Sequence, residues 1–61
     1  MDDEFLKKFI GKHVSAYMVG YGDGFDLVVT DVSGGILRGL LFGQKPTFLE
    51  CELIMGVIAE D

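Results

Sequence analysis

The sequence predicts a mostly β domain in which a short N-terminal helix precedes a five-stranded, strongly bent small barrel. Residues 1–10 have helical periodicity, five later segments are apolar or alternate in the manner of strands, and glycine-rich turns separate most of them. A chain of 61 residues can hold one hydrophobic core. Residues 1–61 are therefore predicted to form a single domain.

The helix is predicted within residues 1–10. Asp2 or Asp3 can cap its N-terminus, and Gly11 can supply the left-handed residue that commonly ends a helix. The spacing of the apolar residues places them on one stripe that should pack against the rest of the domain. That stripe consists of Phe5, Leu6, Phe9 and Ile10.

The first three strands are predicted over residues 12–19, 25–32 and 36–42, separated by turns at 20–24 and 33–35. The first strand alternates, which is typical of a half-buried strand. The second and third strands are apolar on both faces, so we expect both faces to be covered by the helix, by barrel closure or by another subunit. On the second strand the two faces are Leu27 with Val29, and Val28 with Val32; on the third they are Ile36, Leu40 and Phe42, and Leu37 with Leu41.

A turn is predicted at residues 43–46, a fourth strand over 47–53, a kink or single helical turn at 54–56 and a short fifth strand over 57–59. The fourth strand alternates between a core face and a solvent face. Its predicted core face consists of Thr47, Leu49, Cys51 and Leu53.

Composition favours self-association. Apolar residues make up 49% of the chain, and the mean hydropathy is +0.38. A domain of this size has little interior in which to bury them. Cys51 is the only cysteine, so no disulfide can form within the chain. We therefore predict a homo-oligomer.

Charge and segment lengths bear on partners and location. Ten acidic and five basic residues give a net charge of −5, which disfavours general binding to RNA or DNA. No apolar run approaches the length of a membrane span, and the N-terminus is acidic rather than signal-like. We predict a cytoplasmic protein that has no membrane partner.

The sequence predicts no catalytic, metal or cofactor site. His13 and Cys51 are single and distant in sequence, so no metal-ligand spacing is present. The glycines of residues 20–24 resemble a phosphate-binding loop, but a strand rather than a helix is predicted after them. Cys51 shares the core face of its strand, which favours an inert thiol. We therefore predict that the protein is not an enzyme.

Arg38 is the only arginine and lies within an apolar strand. It is expected to pair with Asp26 or Asp31 across the sheet, or to project toward a ligand or a neighbouring subunit. A few large apolar side chains near turns or on outer faces are typical of interface anchors, although a minor core would explain them equally well. They are Tyr21, Phe48 and Met55.

Four segments together resemble the Sm-like branch of the small β-barrels, which is related in form to SH3-like barrels. They are FLKKFI at 5–10, GKHV at 11–14, VTDVSGGIL at 29–37 and LIMGVI at 53–58. The resemblance covers essentially the whole chain and implies a short helix followed by five strongly bent strands. It also implies a ring in which strand four of one subunit pairs with strand five of the next. The interface would then include Phe48, Leu49, Met55, Val57 and Ile58.

Many Sm-like proteins bind RNA at the ring pore through the loops after strands two and four. The candidate ligand-binding residues are Asp31, Ser33, Arg38 and Tyr21. The family's usual Asp and Asn are replaced by Ser33-Gly34-Gly35, and the chain has no asparagine. We therefore expect a non-enzymatic ring that presents an acidic face to a protein or small ligand. The alternatives are an RNA-binding ring and a small acidic, phage-type inhibitor or accessory subunit.

Overall fold

The computed structural model describes residues 1–60 of the chain. It contains one short helix and a single antiparallel sheet with strand order β4-β3-β2-β1-β5. The strands are β1 (His13–Met18), β2 (Phe25–Ser33), β3 (Ile36–Leu41), β4 (Lys45–Glu50) and β5 (Ile54–Ala59). Within residues 1–60, β4 and β5 form the two edges and are not hydrogen-bonded to each other. The sheet is therefore not closed into a barrel by hydrogen bonds.

The N-terminal helix α1 covers Asp3–Leu6 and continues as a 3-10 turn over Lys7–Phe9. Leu6 is fully buried, whereas Phe5 remains exposed and packs edge-on against Phe9. Gly11 ends the helical segment with a φ of 85°, in the left-handed region that favours glycine. The prediction of a short helix is confirmed. Of its predicted apolar stripe, Leu6 is buried and Phe9 packs at the core margin, whereas Phe5 and Ile10 are exposed.

Strand β1 alternates as predicted. Its three inward-facing residues are buried and the three between them are half-buried. A register shift between Tyr17 and Met18 accommodates its pairing with β5. The Tyr17 ring also packs against Gly24, directly before β2, where an added Cβ would lie 2.9 Å from the ring. A side chain at position 24 would therefore require the Tyr17 ring to move.

Strand β2 contains a bulge, and the predicted assignment of its residues to two faces is therefore wrong beyond the bulge. The register with β3 shifts between Val29 and Asp31, which adds one residue to β2. The side-chain alternation is therefore inverted after the bulge. Val32 joins Leu27 and Val29 in the core rather than sharing the outer face with Val28. Sequence periodicity alone could not reveal the inserted residue.

The turn between β3 and β4 lies earlier than predicted. Strand β3 ends at Leu41, and Phe42 belongs to the turn with a φ of 54°, so its prediction as a strand residue was wrong. Lys45 and Pro46, predicted in the turn, are the first residues of β4. Proline is tolerated there because β4 is an edge strand.

The connection from β4 to β5 also differs from the prediction. The helical turn covers Cys51–Leu53, three residues before its expected position, and β5 begins at Ile54. This turn interrupts the alternation, so Leu53 is 42% exposed while Ile54 is buried. Leu53 therefore does not belong to the core face on which it was predicted.

The core lies between one face of the sheet and α1. Met1, Phe9, Phe25 and Val57 pack at its margin. Buried hydrophobic residues from the helix and every strand form one cluster, namely Leu6, Val14, Ala16, Met18, Leu27, Val29, Val32, Leu37, Leu49, Cys51 and Ile54. No helix within residues 1–60 is long and apolar enough to cross a bilayer.

Candidate functional site

The two edge strands carry large exposed apolar side chains. Phe48 on β4 is 71% exposed, and Met55 and Ile58 on β5 are 62% and 54% exposed. Leu49, also predicted at the interface, is buried in the core, and Val57 is half-buried against it. The structure thus presents the side chains of Phe48, Met55 and Ile58 to solvent, whereas Leu49 faces the core and pairs with Leu37 on β3.

The outer edge of β5 also presents backbone donors. The Glu60 amide donates to the His13 carbonyl oxygen at 2.9 Å, and Val14 faces Ala59 across the β1–β5 pair. Successive amides of an antiparallel strand point to opposite sides. The Val57 and Ala59 amides therefore point away from β1, toward the free edge.

Three of the four predicted ligand-binding residues lie together. Arg38 and Asp31 are register partners on β3 and β2, and Arg38 Nη1 lies 3.7 Å from Asp31 Oδ2. Ser33 Oγ donates to the same Asp31 oxygen at 3.0 Å. Both charged side chains are about half exposed. The expected pairing of Arg38 is with Asp31 rather than Asp26, and it leaves the guanidinium accessible.

Tyr21 does not join this cluster. It lies in the loop before β2, where its ring packs edge-on against Phe25 with centroids 5.2 Å apart. Phe25 begins β2, whereas Asp31 and Ser33 lie at its other end. The structure therefore places Tyr21 and the Arg38 cluster at opposite ends of one strand.

A depression that the sequence did not predict lies on the outer face of the sheet. Its volume is about 390 Å³, and it is lined by His13, Asp26, Val28, Phe42 and Gly43. His13 Nε2 and Asp26 Oδ1 are 2.7 Å apart. An ionised carboxylate can only accept, so the imidazole is the donor. The only sequence feature that could have indicated this depression is the position of Phe42, which directly precedes a glycine in a segment rich in turn residues.

The His13–Asp26 pair lies beside Ser15, which is the register partner of Asp26. A serine, a histidine and an aspartate on one face invite comparison with a hydrolytic triad. The Ser15 hydroxyl, however, donates to Glu60 Oε2 at 2.9 Å. Its proton is directed to a carboxylate and not to the imidazole, so this arrangement lacks the nucleophile–base bond of a triad.

A further polar junction ties the helix to the sheet. The Asp3 carboxylate accepts a hydrogen bond from the Gly35 amide at 2.9 Å, and the Gly35 carbonyl accepts one from the Cys51 amide at 2.9 Å. The Gly35 bond is the main reason why the pKa of Asp3 is lowered. Burial, reinforced by nearby Asp3, raises the pKa of the Cys51 thiol. This junction holds structure together and keeps the thiol protonated.

Within residues 1–60, no group of three or more His, Cys, Asp or Glu side chains is arranged to hold a metal ion. The chain matches no protein-family model, no curated protein and no solved structure. The features available for a functional inference are therefore the two apolar edges, the Arg38 cluster and the outer-face depression.

Proposed function

We propose that the chain is a non-enzymatic, Sm-like binding module that assembles into a homo-oligomeric ring and presents an acidic face to a protein or small ligand. The observation that carries this proposal is the position of β4 and β5 at the two edges of the sheet. Both edges bear large exposed apolar side chains. This is the arrangement that the Sm-like resemblance requires of a ring-forming subunit.

Pairing of the edges has a direct physical rationale. An open edge presents unpaired backbone donors and acceptors to which another strand can add. Pairing β4 of one subunit with β5 of the next would bury Phe48 together with Ile58 and Met55. Because two different surfaces meet, the contact is heterologous, and such contacts give rings when the rotation between subunits closes.

The net negative charge favours a protein or small ligand over nucleic acid. The net charge is −5, and Arg38 is already close to the Asp31 carboxylate. Neutralisation of phosphates is the main source of affinity for RNA, and it needs free cationic groups. An RNA-binding ring would instead contact nucleotides through Arg38, Lys45 or the loop backbone, and Arg38 would have to exchange Asp31 for a phosphate.

The test is the mass in solution, measured by light scattering after size exclusion at low and high salt. We expect the parent to have a mass several times the 6.7 kDa of one chain. In a variant with both Phe48→Asp and Ile58→Asp, the mass should fall toward 6.7 kDa. Pairing of the edges would bury each new carboxylate, which costs free energy. Circular dichroism checks that this variant remains folded.

A matched control changes two exposed apolar residues away from the edge strands. Ile10→Asp with Val19→Asp adds the same charge at positions that are 43% and 53% exposed, and should leave the mass unchanged. A monomeric parent would contradict the ring and favour the acidic inhibitor or accessory subunit. Salt-dependent binding of single-stranded RNA by the ring would contradict the ligand assignment and favour the RNA-binding alternative.

A further inference from the structure

Phe42 adopts a backbone conformation that its side chain disfavours. It is the only non-glycine residue with positive φ within residues 1–60. Phe42 and Gly43 have φ values of 54° and 75°, and the Gln44 amide donates to the Leu41 carbonyl at 3.0 Å. Positive φ at both central residues is typical of a type I′ hairpin turn, which prefers Asn, Asp or Gly at the first of them.

The β2–β3 hairpin has glycine at both positions of positive φ, although its loop is one residue shorter than the 42–44 loop. Gly34 and Gly35 have φ values of 58° and 78°, close to those of Phe42 and Gly43. The phenylalanine is therefore not required by the turn. Its ring is also 71% exposed, so it gains little from burial. Strained backbone and an exposed aromatic ring at one position are features of binding sites rather than of folding.

Phe42 lines the outer-face depression together with a carboxylate. Asp26, Val28 and Phe42 are all lining residues, and the Phe42 amide donates to the Asp26 carbonyl at 2.8 Å. This backbone bond fixes the aromatic residue relative to the strand that carries the carboxylate. The depression thus offers an aromatic wall, an apolar surface at Val28 and the Asp26 carboxylate, one oxygen of which already accepts a hydrogen bond from His13. A bound guanidinium would share this carboxylate with the imidazole.

We propose that this depression binds the guanidinium group of an arginine side chain presented by a partner protein. A guanidinium is planar, stacks on aromatic rings and forms directional hydrogen bonds with carboxylates, whereas an ammonium lacks the planar contact. The net charge of −5 attracts such a group. Lys45 does not oppose it, because Lys45 pairs with Leu41 and lies on the other face of the sheet from Val28.

This inference rests on the proposed acidic binding face and names its partner class, but it does not require a ring. It is tested by two-dimensional amide NMR titration of the full chain with a blocked Ala-Arg-Ala peptide. Matched peptides carry lysine or the uncharged isostere citrulline, and free arginine is titrated separately. We expect saturable shifts at Val28, Phe42 and Gly43, with at least tenfold weaker binding of the citrulline peptide and weaker binding of the lysine peptide.

Variants separate binding from folding. Phe42→Gly should abolish the shifts while the melting temperature stays the same or rises, because glycine adopts a positive φ without steric strain. Phe42→Tyr should keep the binding. Asp26→Asn should weaken it at least fivefold, whereas Asp23→Asn, which removes the same charge from the preceding loop, should not.

Several results would overturn the proposal. These are no saturable shifts with the arginine peptide, equal binding of the citrulline or lysine peptide, and tighter binding of free arginine than of the peptide. A marked loss of stability in Phe42→Gly would make Phe42 a structural residue, and a lower oligomer mass in that variant would make it a subunit contact. Because the ring is measured by mass and this site by peptide titration, failure of one is distinguishable from failure of the other.

Discussion

Gly39 lies directly against the backbone of Val28. A Cβ atom at position 39 would lie 2.6 Å from the Val28 carbonyl oxygen and 2.5 Å from Leu27 Cδ1, both closer than van der Waals contact. Gly39 is also buried and pairs with Val29 next to the β2 bulge. The absence of a side chain therefore allows β2 and β3 to approach where the sheet bends.

Gly39→Ala should destabilise the fold by about 2–3 kcal/mol, because an added methyl group in a packed site forces backbone movement. Urea denaturation followed by circular dichroism measures this loss. The control is Gly22→Ala, since a Cβ there meets nothing within 4 Å and its φ is not left-handed. Gly22→Ala is expected to be neutral or mildly stabilising. Equal effects of the two changes would contradict the steric explanation.

The junction between Asp3 and Gly35 should make stability depend on acid pH. The Gly35 amide bond lowers the pKa of Asp3 in the folded chain. The ionised carboxylate therefore stabilises the fold above the unfolded pKa of about 3.9, and this contribution is lost as pH falls through the lower folded value. Asp3→Asn should thus be less stable than the parent at pH 7, and the difference should shrink below about pH 4.

Asp2→Asn is the control for this prediction. Asp2 is adjacent and carries the same charge, but its side chain makes no capping hydrogen bond. Its substitution should change the urea midpoint less than Asp3→Asn at pH 7. If the difference in the free energy of unfolding between the parent and Asp3→Asn stays constant from pH 7 to pH 2, the charge of Asp3 does not contribute to the junction.

Cys51 should react slowly with thiol reagents in the native state. It is 1% exposed, so a reagent has little access to it. Burial together with Asp3 raises its pKa, which lowers the fraction of reactive thiolate. An opening free energy of about 3 kcal/mol, typical of a small core, corresponds to roughly 10²-fold slower alkylation than in urea. The measurement is the rate of iodoacetamide modification by mass spectrometry. Similar rates in buffer and urea would contradict the buried position.

The sequence predicted those elements whose side-chain pattern is uninterrupted. Strand β1 alternates without a break, and Gly11 ends the helical segment as expected. The pattern failed where the backbone departs from a regular strand. The bulge after Val29 placed Val32 in the core, and the 3-10 turn at Cys51–Leu53 moved Leu53 out of it. Neither irregularity changes residue composition, so alternation cannot detect it.

The sequence predicted the pairing of Arg38 but not the outer-face depression, because the depression depends on an irregular turn and on strand register. Arg38 was expected to pair across the sheet, and the register opposite Asp31 explains why it does. The outer-face depression depends on the β3–β4 turn, where Phe42 was expected to continue a strand. A bulky aromatic residue is a poor predictor of left-handed backbone. His13 and Asp26 come from different strands, so only the register brings them together.

The ion pair between Arg38 and Asp31 should contribute little to stability. Both side chains are about half exposed and the charged atoms are 3.7 Å apart, which is longer than a hydrogen bond. Exposed pairs contribute about 0.2–1 kcal/mol, and we expect at most about 0.5 kcal/mol here. A double-mutant cycle with Arg38→Ala and Asp31→Ala in urea measures the coupling. A coupling above about 2 kcal/mol would make Arg38 a structural residue and remove it as a ligand-binding candidate.

Blocking one backbone donor at the β5 edge should separate assembly from folding. The Ala59 amide points away from β1, because the neighbouring Glu60 amide bonds to the His13 carbonyl. Ala59→Pro therefore removes an outward donor without removing a bond to β1, and proline is tolerated where an amide faces the free edge. We expect native circular dichroism with a mass reduced toward 6.7 kDa. Ala59→Ser keeps the donor and should keep the parent mass. An Ala59→Pro protein that is folded and has the parent mass would show that this part of the β5 edge is not used in assembly.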